Sequence, residues 1–175
     1  MEKKKLFLLI GIFWIIIIFG FIAFKEFTLQ TGEEVLLKTR PVDPRDLFRG
    51  DYIILNYEIS NLDESSLQKD VTEFKQEDKV YVSLNKVDNY GIASGVYINK
   101  PKEGLILKGK IKNVQGSRLN IEYGIESYFV PEGKGREIER QRGRNLDVKV
   151  AVDKLGNALI KELLIDGKVL RFNKL

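Results

Sequence analysis

The sequence contains neither cysteine nor histidine. Their absence excludes disulfides, cysteine nucleophiles, Ser-His-Asp triads, zinc fingers and nearly every transition-metal site. No catalytic residue, metal site or cofactor is therefore assigned from the sequence. Because the chain has no thiol, its cysteine content indicates neither a reducing nor an oxidising compartment.

The chain also has only a small excess of basic over acidic side chains. The formal net charge is +4, and residues 1–5, with three lysines and one glutamate, contribute half of it. A nucleic-acid-binding protein concentrates its basic residues on one face, whereas acids and bases alternate along most of this chain, so no nucleic-acid partner is predicted. One basic-leaning run would either touch anionic lipid headgroups or form a solvated helix face; it contains Lys134, Arg136, Arg140, Arg142 and Arg144.

One long apolar run stands at the N-terminus. Residues 6–24 carry no charged side chain, and as a helix they would span roughly 28 Å, close to the hydrocarbon thickness of a bilayer. Three lysines precede the run and Lys25 follows it, which predicts a cytoplasmic N-terminus. The predicted organisation is a basic cytoplasmic head (1–5), a transmembrane anchor (6–24), a stalk (25–32) and an extracytoplasmic domain (33–175).

A cleavable signal peptide is the competing interpretation of the same run. Its apolar region would be about 7–15 residues long and would end in small residues before the cleavage site. Here the run is longer, and Ala23 is the one small residue near its end. The sequence therefore favours an uncleaved, single-pass anchor in the cell membrane.

The rest of the chain has the pattern of a β protein. Val80, Val82 and Leu84 alternate with polar residues, and Asp166-Gly167 is a dipeptide that favours a type I′ hairpin turn. Short helices are predicted near residues 65–70 and over 132–140. The fold class is mainly β, a sandwich or a partly closed barrel with one or two short helices; its predicted strands are 34–39, 51–59, 80–85, 92–98, 105–111, 118–123, 147–152, 158–165 and 168–172.

A charged, proline-stiffened turn precedes the second predicted strand. Arg45 and Arg49 would clamp an anionic group with their planar guanidinium forks. Alternatively, the aspartates of this turn cap the arginines and the local backbone; Asp51, at the start of the strand, would then accept backbone N–H groups. Along the strand, Tyr52 shares one face with Ile54, and Tyr57 lies on the other.

These residues carry a resemblance. Residues 50–57 read Gly-Asp-Tyr-Ile-Ile-Leu-Asn-Tyr, and all five fixed letters of the GDYXXLXY family of membrane-anchored bacterial proteins are present. Residues 40–49 resemble the family's lead-in, and residues 123–135 resemble its second block. The resemblance implies a membrane-anchored bacterial protein. It implies no chemistry, because the family has no established activity.

The second block, together with Arg136 directly after it, gathers acidic, basic and aromatic side chains. Glu126 and Glu132, or Glu137 and Glu139 shortly after them, would serve as an acid/base pair or hold a hard cation such as calcium. Alternatively, Arg136 and its basic neighbours neutralise these carboxylates in a capped helix. Both blocks combine aromatic residues with opposite charges, so we expect them to meet in space, with Arg45 or Arg49 in contact with Glu126, Glu132 or a carbonyl of the second block. The candidate binding residues are Arg45, Arg49, Asp51, Tyr52, Tyr57, Glu126, Tyr128, Glu132 and Arg136.

Two classes of function follow from the sequence. The favoured one is a non-enzymatic extracytoplasmic binding module, with a membrane protein or another envelope component as partner. The alternative is a carboxylate-dependent cell-surface enzyme acting on glycan or lipid-linked substrates. A cleft that gathers Asp51 or Asp43 with Glu126 or Glu132 would favour the enzyme.

Overall fold

A computed structural model describes residues 3–40, 52–130 and 145–171. The predicted helix over residues 132–140 lies outside these ranges. Within them the chain is mainly β, as predicted, and it begins with a single apolar helix.

The helix, α1, runs over Lys3–Thr31. Its segment Phe7–Thr31 is long and apolar enough to cross a membrane. The residues expected to form a stalk continue the same helix as far as Thr31. None of the described side chains from position 4 to position 27 is buried, whereas Thr28 is only 2% exposed.

Among the described residues, twelve strands and two single-turn 3-10 helices follow α1. The 3-10 helices are Glu58–Ser60 and Glu64–Ser66. The strands are β1 Glu33–Lys38, β2 Tyr52–Ile54, β3 Asn61–Asp63, β4 Gln68–Lys69, β5 Lys79–Val87, β6 Tyr90–Tyr97, β7 Leu105–Gln115, β8 Arg118–Glu122, β9 Ser127–Phe129, β10 Leu146–Val152, β11 Ala158–Ile165 and β12 Lys168–Val169.

Ten strands form one sheet, and β2 pairs with β9 in a separate two-stranded ribbon. The order of the large sheet is β12-β11-β10-β1-β6-β5-β7-β8-β3. β4 lies off this path and pairs in parallel with β6 at Gly95 and Val96, near the C-terminal end of that strand. The Lys108 N–H of β7 donates to the Gly156 carbonyl in the β10–β11 turn. Three strands lie between β7 and β10, so this contact shows that the sheet curls back on itself. Among the described residues it does not close into a barrel.

The core lies on the inner face of this curled sheet. Val80, Val82 and Leu84 of β5 are buried, as the alternation predicts, because successive side chains of a strand point to opposite faces. Val35 and Leu37 of β1 join them. The β11–β12 hairpin turns at Asp166 and Gly167, both with positive φ (48° and 77°), which confirms the predicted type I′ geometry.

Several predicted boundaries were wrong. The strand expected over 51–59 is described only at Tyr52–Ile54, because the chain then enters the 3-10 helix at Glu58–Ser60. The helix expected near 65–70 is one turn at Glu64–Ser66, since the Asp63 carboxylate accepts the Ser65 N–H and starts the turn there. The last strand ends at Val169 rather than at residue 172 among the described residues.

Candidate functional site

The two sequence blocks meet in the β2–β9 ribbon. Tyr52 pairs with Phe129, Ile53 with Tyr128 and Ile54 with Ser127, in antiparallel register. This pairing confirms that the blocks lie together in space. Directly opposed residues of an antiparallel pair share a face, so the half-buried Tyr128 lies with the buried Ile53 on the core side, whereas Phe129 is 77% exposed on the outer side.

Two buried tyrosines fasten the blocks beyond the ribbon. The Tyr57 hydroxyl donates to the Ile125 carbonyl at 2.6 Å, and the Tyr123 hydroxyl donates to the Ile59 carbonyl at 2.6 Å. Burial, together with the nearby Glu126 carboxylate, raises the pKa of both phenols. Both therefore stay protonated donors at neutral pH, and Tyr57, whose side chain has no exposed surface, stabilises the junction from within.

Glu126 contributes to the same junction from the second block. Its backbone carbonyl accepts the Leu55 N–H at 2.8 Å, and its carboxylate accepts the Tyr123 N–H at 2.5 Å. Its charge is thus held beside the backbone of its own turn. The other proposed site residues of the two blocks lie outside the described residues: Arg45, Arg49, Asp51, Glu132 and Arg136. The expected contact of Arg45 or Arg49 with the second block lies there too. The cleft that would gather Asp51 or Asp43 with Glu126 or Glu132 lies there as well.

A polar cleft of about 820 Å³ opens at the β3 edge of the large sheet. Its wall is rich in amides and cations over a small apolar floor formed by Leu62 and Leu119. The Asn120 amide donates to the Asn61 amide oxygen at 2.9 Å, which joins β8 to β3. The polar residues around the cleft are Arg40, Asn61, Asp63, Gln76, Lys112, Asn113, Gln115, Arg118 and Asn120.

The charges around this polar cleft differ in how far they are neutralised. Lys112 forms an ion pair with Glu122, which raises the pKa of the lysine. No described acid forms an ion pair with the Arg40 guanidinium, and the Arg40 backbone N–H donates to the Asn56 carbonyl at 2.7 Å. Within the part of the chain that the structure describes, Arg40 thus lines the polar cleft without a counter-ion, and its backbone is fixed beside the first block.

Asp63 is the one carboxylate that lines the polar cleft among the described residues. The Ser65 hydroxyl and backbone N–H, followed by Ser117, hold the pKa of Asp63 below its ordinary value, and the charge of Arg118 acts in the same direction. The carboxylate is thus ionised and already hydrogen-bonded, which suits a group that shapes the wall of the cleft rather than one that exchanges protons.

Replacing this carboxylate gives a pH-dependent prediction. Because the folded-state pKa of Asp63 is depressed, its ionised form stabilises the fold at neutral pH, and this contribution is lost as the pH falls below about 4 through the folded-state pKa. Asp63→Asn should therefore lower the melting temperature at pH 7, and the difference should shrink in acid. Thermal unfolding of both proteins followed by circular dichroism from pH 7 to pH 3 measures this; a difference independent of pH would contradict the charge argument.

Sequence reasoning missed the polar cleft. Arg40 stood in the lead-in of the first block, but the other residues come from separate segments that only strand pairing unites. Asn61 reaches Asn120 across the β3–β8 pair, and a register shift after Ile111 places Asn113 opposite the same residue. No local pattern in the sequence predicts that these separate segments form one polar cleft. Within the described ranges, no group of three or more acidic residues is placed to hold a metal ion.

Comparisons with known proteins add one match. A family model described as "GDYXXLXY protein" matches residues 14–163, a stretch that includes most of α1, both blocks and the polar cleft. No curated protein matched the sequence, and no solved structure matched it either.

Proposed function

The chain belongs to the GDYXXLXY family, and we propose that it is a single-pass, membrane-anchored binding module whose β domain faces the extracytoplasmic side. The observation that carries the anchor is the exposure of α1. Its apolar side chains stay uncovered over six turns, for example Phe7 at 74% and Phe21 at 68%. Such a surface is stable in hydrocarbon and costly in water.

The end of α1 supports an anchor that is retained. A signal sequence would satisfy the same criteria of length and composition. However, Thr28 is buried against the domain, and the Gly32 N–H donates to the Thr28 carbonyl at 2.8 Å. Helix α1 continues from the apolar run to Thr31, so cleavage near the end of the run would interrupt the helix just before the turn that packs on the sheet, which favours an uncleaved helix.

The orientation follows from the lysines on either side of the span. Lys4 and Lys5 lie within the first turns of α1, preceded by Lys3, and Lys25 follows the apolar run. Positively charged residues concentrate on the cytoplasmic side. The β domain would accordingly lie outside the cytoplasm. A chain without cysteine is compatible with an oxidising or a reducing compartment.

A topology experiment tests this part of the proposal. A reporter that is active only after export, fused behind Leu175, should be active, and the fusion should stay in the membrane fraction after alkaline washing. The matched fusion uses a reporter that is active only in the cytoplasm and should be silent. Cytoplasmic activity, or a soluble product that lacks α1, would refute the anchored topology.

The binding role is proposed for the polar cleft beside the two blocks. Amides offer both donors and acceptors, and the Arg40 guanidinium offers a planar fork of donors. The single carboxylate lining the described cleft, Asp63, is hydrogen-bonded within its own turn. This composition suits recognition of a polar ligand carrying hydroxyl and carboxylate groups, as on an envelope component, more than acid/base catalysis.

Photo-crosslinking in cells tests the binding role. A photoreactive amino acid at Asn113, inside the polar cleft, should yield a crosslinked species, and Arg40→Gln should weaken it. The matched control places the same group at Lys168, an exposed residue of β12, from which no such species should form. Equal products from both positions, or none from Asn113, would contradict binding in this cleft.

A further inference from the structure

A second cleft lies where α1 joins the domain. This junction cleft, of about 640 Å³, is mainly apolar. One wall comes from the last two turns of α1, where Phe24, Phe27 and Thr28 lie three and four residues apart on one helix face. The opposite wall comes from Leu105 at the start of β7 and from Leu155 in the β10–β11 turn.

Each wall of the junction cleft carries an apolar side chain that is uncovered within the described chain. Leu155 is 57% exposed and Phe27 is 65% exposed. A leucine at an exposed turn in water would gain nothing from such a position, since its side chain stays solvated. The surface therefore fits an apolar occupant supplied from outside the domain.

The turn that carries Leu155 is held firmly. The Asp153 carboxylate accepts the backbone N–H groups of Leu155 at 2.8 Å and of Asn157 at 2.9 Å. Gly156 has φ +88°, and a Cβ there would lie 3.1 Å from the backbone nitrogen of Lys108. The side chain of Leu155 is thus presented at a fixed place beside α1.

The position of the junction cleft along α1 identifies its occupant. If the hydrocarbon layer ends near Phe24, then Thr31 lies about 10 Å further out along the helix axis. The headgroup layer is about 5–8 Å thick on each side of the hydrocarbon core. The junction cleft is therefore level with the headgroups and with the first carbons of the lipid chains.

We propose that a phospholipid of the surrounding leaflet occupies the junction cleft, so that the β10–β11 turn rests on the membrane surface. The upper acyl carbons of the lipid would contact Leu155 and Phe27. Lys154, which also lines the cleft, would face the lipid phosphate at the rim. This inference rests on the proposed membrane anchor and adds a second, lipid-mediated contact that sets the tilt of the domain.

The single tryptophan, Trp14, allows both ideas to be tested in one preparation. It lies in the middle of the apolar run, so lipids brominated deep in their acyl chains should quench its emission when the full-length protein is reconstituted into phosphatidylcholine vesicles. In a Trp14→Phe background, a Leu155→Trp reporter should be quenched by lipids brominated on the carbons nearest the headgroup.

The matched control reporter is Val169→Trp in the same background. Val169 is also exposed, at 39%, but it lies opposite Leu164 in the β11–β12 hairpin. That pair is about 20 Å along β11 from the end that adjoins the junction cleft. Its emission should be unaffected by either brominated lipid, and circular dichroism should show that both reporter variants retain the strand signal.

Each outcome separates the two proposals. Quenching of Leu155→Trp by the shallow label, without quenching of Val169→Trp, supports lipid in the junction cleft. If Trp14 is quenched but Leu155→Trp is not, or if both reporters are quenched equally, the inference is overturned and the anchor stands. An unquenched Trp14 would instead overturn the membrane anchor, and the lipid contact with it.

Discussion

Tyr57→Ala should remove most of the stability of the β domain. Tyr57 has no exposed surface and packs in the core with Leu37 and Ile53. Truncating a buried aromatic side chain costs about 3–5 kcal/mol, and the Ile125 carbonyl also loses the donor that binds it at 2.6 Å. Because natural domains are stable by only about 5–15 kcal/mol, we expect a strongly lowered melting temperature or loss of the folded protein.

Two companion variants separate the contributions to this loss. Tyr57→Phe keeps the ring and removes only the donor, so it should cost about 1–3 kcal/mol. Ile92→Ala, at a residue that is 53% exposed, should stay within about 0.5 kcal/mol of the natural protein. Thermal unfolding of the full-length protein in mild detergent, followed by circular dichroism, measures all three. A Tyr57→Ala protein as stable as Ile92→Ala would mean that the last tyrosine of the signature is not a core residue.

The result also bears on why residues 50–57 form a recognisable signature. Leu55 and Tyr57 are buried, and each hydrogen-bonds to the second block through its N–H or hydroxyl group. At these two positions the signature thus encodes the joint between two distant segments rather than a ligand contact. Recognition is then left to neighbouring surfaces such as the polar cleft, which Arg40 lines without an ion pair to any described acid.

The parts of this fold that could be predicted from the sequence have local causes. The alternation of Val80, Val82 and Leu84 reflects the two-residue repeat of a strand with one buried face. Asp166-Gly167 was predictable as a turn because a type I′ turn requires positive φ at both central positions, and aspartate followed by glycine is a favoured pair there. The apolar N-terminal helix was predictable because residues 6–24 form one uninterrupted run without a charge, which has the length and composition of a membrane-spanning helix.

The parts that could not be predicted depend on pairing with distant residues. β3 and β4 are short and polar, and each exists as a strand because a neighbour supplies its hydrogen bonds, Leu119 opposite Leu62 and Gly95 opposite Gln68. Whether such a short segment forms a strand depends on the neighbouring strands that it pairs with and packs against, more than on its own residues. The polar cleft has the same origin, since its amides come together only after β3, β7 and β8 have paired.

The connection between α1 and the sheet leads to the second large effect. Gly32 lies between the helix and β1, and a Cβ at this position would lie 2.5 Å from the Thr28 carbonyl oxygen. The same Cβ would approach the backbone nitrogen and oxygen of Val152 to 3.1 Å. All three neighbours are backbone atoms, which cannot rotate away as a side chain can.

Gly32→Val should therefore separate the end of α1 from β10. The overpacking should cost at least about 1–3 kcal/mol, with Gly32→Ala less severe because it adds a single methyl group. The matched control is Gly20→Ala, since a Cβ at Gly20 would meet no described atom within 4 Å apart from the neighbouring backbone of its own helix. Alanine there should leave the melting temperature unchanged or raise it slightly. The measurements are thermal unfolding of the full-length proteins and protease sensitivity at residues 28–33. If Gly32→Val melts like Gly20→Ala and stays resistant, α1 does not seat on the sheet. If the end of α1 is displaced in the Gly32→Val protein as expected, Phe27 and Thr28 move away from Leu155, and the junction cleft loses one of its walls.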